Sequence, residues 1–150
     1  MSRSTRLMLW LLTGLTLAAT AALVAATFVA FPPFFTGWGE LTPAGTIDGW
    51  VVNRSSPSAR VEVELYVDGE FVAHAAAERP RPDVSAAGWA ADERCGYSFP
   101  LPRLAPGEHT ARVYAMHTVA GGTLRTLQQT GDALHFSAGA DGRVSPAPPR

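Results

Sequence analysis

Few side chains in this sequence could do chemistry. The four histidines, His74, His109, His117 and His135, stand in no HxH or HExxH spacing, so a metal would need them to converge from separate elements. The single cysteine, Cys95, excludes an internal disulfide, a CxxCH haem attachment and a cysteine-rich zinc site. A lone thiol of this kind reads as a small buried apolar group, with an intermolecular disulfide as the alternative. The acids are scattered. Glu62 and Glu64 would sit ~7 Å apart on one strand face, whereas a glycosidase needs two carboxyls facing each other across a cleft. No GxSxG, phosphate-binding glycine loop or triad order is present. The expectation is a protein that is not an enzyme, with no cofactor and no metal site.

Two features could still hold a ligand. The first is "RPRPDVSAAG" at 79–88, where Arg81 and Asp83 sit among prolines. The plainer reading is a corner between strands made by Arg81, Pro82, Asp83 and Gly88. Pro80 and Pro82 remove backbone donors. Asp83 would cap a short helical turn, Gly88 would end it, and Arg79 or Arg81 would pair with Asp83. The second feature is the set Trp38, Trp50 and Trp89, whose rings could form a platform for sugars. Against that, Trp38 reads as membrane-interfacial, Trp50 as a core residue and Trp89 as a plug under the corner. Exposure of these rings on one surface would decide between the two.

These residues must be positioned by two kinds of element. After Arg3 and Arg6 comes an uncharged, apolar run over 7–31, long enough as a helix for a ~30 Å hydrocarbon core. The rival reading is a cleaved signal peptide, whose apolar region would span only ~7–15 residues. Trp10 lies near one end of the run, and Phe34, Phe35 and Trp38 follow the other, where interfacial aromatics are expected. Arg3 and Arg6 place residues 1–6 in the cytoplasm and residues 32–150 outside. Gly14, Ala18, Ala22 and Ala26 recur every fourth residue, a face on which a second helix could pack closely, while Thr13, Thr16, Thr20 and Thr27 line another.

Beyond the helix, 32–44 reads as an extended linker and 45–138 as one β-domain. Candidate strands are 46–52, 60–67, 70–78, 96–101, 110–119, 123–129 and 133–137, about seven in all. "RVEVELYV" alternates strictly, and Asp68-Gly69 supplies a two-residue hairpin turn. A simple register through that turn sets His74 opposite Val63 on the core face, and His109 at a strand start would bond backbone. "AGG" at 120–122 offers a second turn. Residues 139–150 read as a flexible tail. The fold class is all-β, an Ig-like antiparallel sandwich preceded by one transmembrane helix. Ten arginines face thirteen acids beyond residue 31, a net of −3, which offers no basic patch for nucleic acid.

The runs "VDG" (67–69), "RPDV" (81–84), "GYSFPLP" (96–102) and "GEHTARVYA" (107–115) resemble a small bacterial Ig-like β-sandwich module. That module occurs beside glycosyltransferases and in other multidomain bacterial proteins, and its pattern is VDG…RPDV…GFxFxLP…GxHxVxVYA. The likeness covers 46–118, with Tyr97 in place of the usual Phe. It implies an accessory sandwich and brings no catalytic residue with it.

Two functions fit. One is a structural or assembly subunit in the bacterial inner membrane, its helix in the bilayer packed on a larger integral-membrane complex, respiratory or photosynthetic, or on an envelope machine. Its sandwich would then brace that partner from the periplasm. The other is a tethered module that binds glycan or cell-envelope polymer.

Overall fold

The computed structural model describes residues 3–30, 34–119 and 124–146, without the side chains of 26–30, 119 and 124. The chain forms two compact units, 1–32 and 33–150. In the first, α1 (Arg3–Ala30) is one continuous helix. Over Arg3–Ala25 it is long and apolar enough to cross a membrane.

The second unit is a sandwich of two antiparallel sheets. Its strands are β1 (Phe35–Leu41), β2 (Thr46–Asn53), β3 (Glu62–Val67), β4 (Glu70–Ala76), β5 (Arg79–Pro80), β6 (Arg94–Pro100), β7 (Gly107–Val119), β8 (Leu124–Gln129), β9 (Leu134–Ala138) and β10 (Val144–Pro146). The smaller sheet has the order β1-β2-β6-β5. The larger runs β10-β9-β7-β3-β4, with β8 also paired to β7. All seven strands read from the sequence are present.

Alternation explains the core. Val61, Val63, Leu65 and Val67 turn inward from the β3 segment, while Glu62, Glu64 and Tyr66 turn outward. The inward set meets Phe35, Ile47, Val51, Tyr97 and Phe99 of the smaller sheet, with Phe136 of β9 between them. Burial of those aromatic and branched side chains holds the sheets face to face.

Several expectations change. The 32–44 linker is not one: 35–41 is β1, paired with β2 along its whole length. Its inward positions are Phe35, Gly37, Gly39 and Leu41, so two glycines stand where apolar side chains would have announced a strand. They serve a close approach. A Cβ on Gly39 would lie 2.6 Å from the Tyr97 hydroxyl, and one on its partner Gly49 would also strike that ring. Tyr97 fills the space instead and donates to the Trp38 carbonyl at 3.2 Å. Phe35 is therefore not a membrane-interface residue. It is 5% exposed in the core, and the Gln128 amide accepts from its N–H and donates to its C=O, as a neighbouring strand would. Phe34 stacks on His117, ring centroids 4.2 Å apart.

The 139–150 tail is structured as far as β10, which pairs with β9 through Val144, Ser145 and Pro146. Residues 147–150, the turn at 120–122 and the junction at 31–33 lie outside the described residues. The hairpin turn at Asp68-Gly69 is as expected, with φ of 53° and 88°. The β3–β4 register is not. Tyr66 faces Phe71 but Leu65 faces Ala73, so Val72 is an extra, bulged residue. The shift moves His74 opposite Glu64 on the outer face, not opposite Val63 in the core.

Candidate functional site

The exposed tryptophans of the sandwich, Trp38 and Trp89, lie at the outer face of the smaller sheet. Directly opposed residues in neighbouring strands share a face, with Cβ atoms ~5 Å apart. Trp38 faces Trp50 across β1 and β2, and Glu40 faces Asp48 one row along. Across β2 and β6, Trp50 faces Gly96 and Asp48 faces Ser98. Arg79 of β5 faces Gly96 in turn. Two parallel rows result, Trp38–Trp50–Gly96–Arg79 and Glu40–Asp48–Ser98. The second is tied by the Ser98 hydroxyl, which donates to Asp48 Oδ1 at 2.6 Å.

The 79–88 corner completes this face. Its helix α2 (Pro82–Ala86) begins with proline at the first helical position, where no N–H is needed. Arg81 holds the capping position and no side chain caps the helix, which corrects the expectation that Asp83 does so. Asp83 lies inside the first turn, where its carboxylate receives Arg81 Nε at 2.9 Å and Nη2 at 2.7 Å. This two-pronged bond from Arg81 holds the Asp83 carboxyl down to about 2. At the other end Gly88 takes φ +78°. The N–H groups of Gly88 and Trp89 bond back to the carbonyls of Ser85 and Val84, the glycine-ended helix stop that the sequence implied.

That stop aims the chain so that the Trp89 ring lies 6.2 Å from that of Trp50. Beneath them Val84, Ala90, Val52 and Cys95 make a small apolar cluster against Trp50. Burial of Cys95 pushes its thiol above the ordinary range, as suits a packing residue. Trp89 is 59% exposed and is no buried plug. Trp38 is 45% exposed. Trp50 belongs to the outer face, half-buried, and not to the main core.

Arg81 is the second group the corner delivers. Its stem lies over Gly96, where an added Cβ would come within 2.8 Å of Arg81 Cγ. The missing side chain at Gly96 is what lets the Arg81–Asp83 pair rest one strand beyond Trp50. Arg81 Nη1 has no hydrogen-bond partner among the described residues. Beside Trp38 and Glu40 a groove of about 1010 Å³ opens between β1 and the paired starts of β7 and β9. Its histidines are engaged: His109 with Asp68 and Ala105, His135 with Thr110.

Other sequence candidates lie apart from this face. On the outside of the larger sheet Tyr66 packs edge-on against Phe71 and Tyr114, with Phe71 and Leu127 exposed. In α1, Trp10 is exposed, Gly14 has open space around it, and Ala18 and Ala22 are exposed on the helix surface. Ala26 is helical, and its side chain lies outside the described residues. The hydroxyls of Thr13, Thr16 and Thr20 bond back to carbonyls one turn earlier, so each is satisfied within its own helix. Among the described residues no three His, Cys, Asp or Glu side chains gather as a metal site.

The sequence named the three tryptophans as a possible platform but did not pair the strands that build it. The signal that could have found it is the pairing of "GWGE" with "DGW", which sets Trp38 against Trp50 and Glu40 against Asp48. Comparisons of the chain with protein-family models, curated proteins and solved structures find no match.

Proposed function

We propose that this is a non-catalytic, single-pass membrane protein whose exported sandwich binds a glycan of the cell envelope. The observation that carries this reading is the row Trp38–Trp50 with Trp89 6.2 Å from Trp50, Trp38 and Trp89 exposed and Trp50 half-buried, beside hydrogen-bonding acids and an arginine. Flat apolar rings flanked by polar groups match a pyranose, which has an apolar face and a polar rim. Arg3 and Arg6 ahead of the apolar helix favour a cytoplasmic N-terminus. The sandwich then lies in the periplasm of a bacterium, tethered to the inner membrane, and the likeness to modules found beside glycosyltransferases agrees with that setting. The test is titration of the full chain in lipid nanodiscs with soluble envelope glycans, read by tryptophan fluorescence. Binding that Trp50→Ala and Trp89→Ala each weaken supports the reading. Absence of binding to any glycan sinks it.

A second reading is supported by a different surface. Phe71, Tyr66, Tyr114 and Leu127 on the larger sheet have the composition of a protein-binding patch, and α1 carries the small residues Gly14, Ala18 and Ala22 on an exposed surface. On this reading the chain is an accessory subunit of a larger membrane complex. Extraction from native membranes in mild detergent, a native gel and mass spectrometry separate the two. Migration within a large assembly supports the accessory role, and migration at the chain's own mass supports the tethered binder.

A further inference from the structure

We infer that Arg81 and Asp83 are the polar anchor of the tryptophan face and make it select a neutral polysaccharide, held through a vicinal diol, over polyanionic polymers. The inference rests on the glycan reading above and adds what the site chooses.

Geometry places the pair at the site. Gly96 stands opposite Trp50, and the Arg81 stem covers Gly96. A ring stacked on Trp50 therefore has the Arg81–Asp83 pair at its rim. The pair is pre-organised: Arg81 N–H donates to the Glu93 carbonyl at 2.6 Å, Pro82 fixes the next backbone angle, and both carboxylate oxygens are held by one guanidinium. What remains unused suits a diol. The Asp83 carboxylate, its side chain 62% exposed, can accept from a sugar hydroxyl, and Arg81 Nη1 keeps its donors for a neighbouring one.

Charge sets the preference. The face carries Glu40, Asp48 and Asp83 against Arg79 and Arg81, and Arg81 is already committed to Asp83. Arg79, whose guanidinium has no hydrogen-bond or ion-pair partner among the described residues, stands two strands away from Trp50, and the three acids repel a carboxylate or phosphate. A neutral ring meets acceptors and donors without that penalty.

The full chain in nanodiscs of zwitterionic lipid is titrated with a soluble neutral glucan, a soluble neutral galactomannan and a polyuronate, alongside Asp83→Asn, Arg81→Lys and Trp89→Ala. The expected result is at least ~10-fold tighter binding of a neutral polymer than of the polyuronate, a margin of about 1.4 kcal/mol. Asp83→Asn then brings that ratio toward one and Arg81→Lys weakens the neutral polymer, with thermal melting of both variants unchanged. If the polyuronate binds as tightly, or if both variants keep the ratio while Trp89→Ala abolishes binding, the anchor is wrong and stacking stands. If the unmodified chain binds none of the three polymers, the anchor and the glycan reading fall together.

Discussion

Nδ1 of His109 lies 2.6 Å from Asp68 Oδ2, while Nε2 of the same ring lies 2.8 Å from the Ala105 carbonyl oxygen. Both partners are acceptors, so both bonds form only when both ring nitrogens carry protons. When protonated, the ring is a clasp that joins the β3–β4 hairpin tip to the loop before β7. Asp68 also accepts from the Thr110 N–H at 2.9 Å, so one carboxylate ties together the turn and the strand start.

Its pH dependence has a definite sign. The Asp68 carboxylate, followed by the Ala105 carbonyl, holds His109 above its ordinary value of 6.5. Its stabilisation is complete below that value and fades as pH rises through the raised one. The His109 bond, then the Thr110 N–H, hold Asp68 below 3.8. Its share is present above 3.8 and fades as pH falls through the lowered value. Thermal melting should therefore be highest between these limits and fall on the alkaline side. His109→Gln should remove the alkaline step, and an NMR titration of the His109 ring should give a midpoint above 6.5.

The contact of Gly39 with Tyr97 predicts a coupled pair. Gly39→Ala sets a methyl against the Tyr97 hydroxyl and should cost about 1–3 kcal/mol, as overpacking does. Tyr97→Phe removes the oxygen that clashes, along with its bond to Trp38. The double variant should be less destabilised than the sum of the two by about 1 kcal/mol. Denaturant melts of the four proteins close the cycle, and strict additivity would show that the ring moves aside.

Phe35 tests whether β1 belongs to the sandwich. Phe35→Ala empties a site in the main core and should cost about 3–5 kcal/mol, a loss that a linker residue would not cause. Gln128→Ala should speed amide exchange at Phe35, whose N–H it caps at 3.3 Å, with a milder cost of about 1 kcal/mol.

The helix yields a separate expectation. Ala18→Leu with Ala22→Leu should leave melting of the sandwich unchanged, since the two units are compact on their own. If α1 packs on a partner, the same double change should reduce co-purification of that partner from native membranes. Unchanged co-purification would remove helix packing from the accessory reading.

The sequence alone determined whatever has a local or periodic cause. The apolar run of α1, the alternation in β3, the Asp68-Gly69 turn and the Gly88 helix stop all follow from spacing and backbone preference within a few residues, and they suffice for a helix followed by an all-β sandwich. The tertiary structure decided whatever depends on contact between distant segments. β1 carries glycine at two of its inward positions because Tyr97, 58 residues further on than Gly39, fills the space at Gly39, and the Trp50 carbonyl and Val51 of β2 close the space at Gly37, so no hydrophobic period marked it. β10 is three residues long and has a partner only because β9 is beside it. His74 changed face through a single bulged residue at Val72, since a one-residue slip inverts every side chain of a strand. The tryptophan face arose in the same way: Trp38, Trp50 and Trp89 lie on three segments, and only strand register together with the turn of α2 brings them onto one surface.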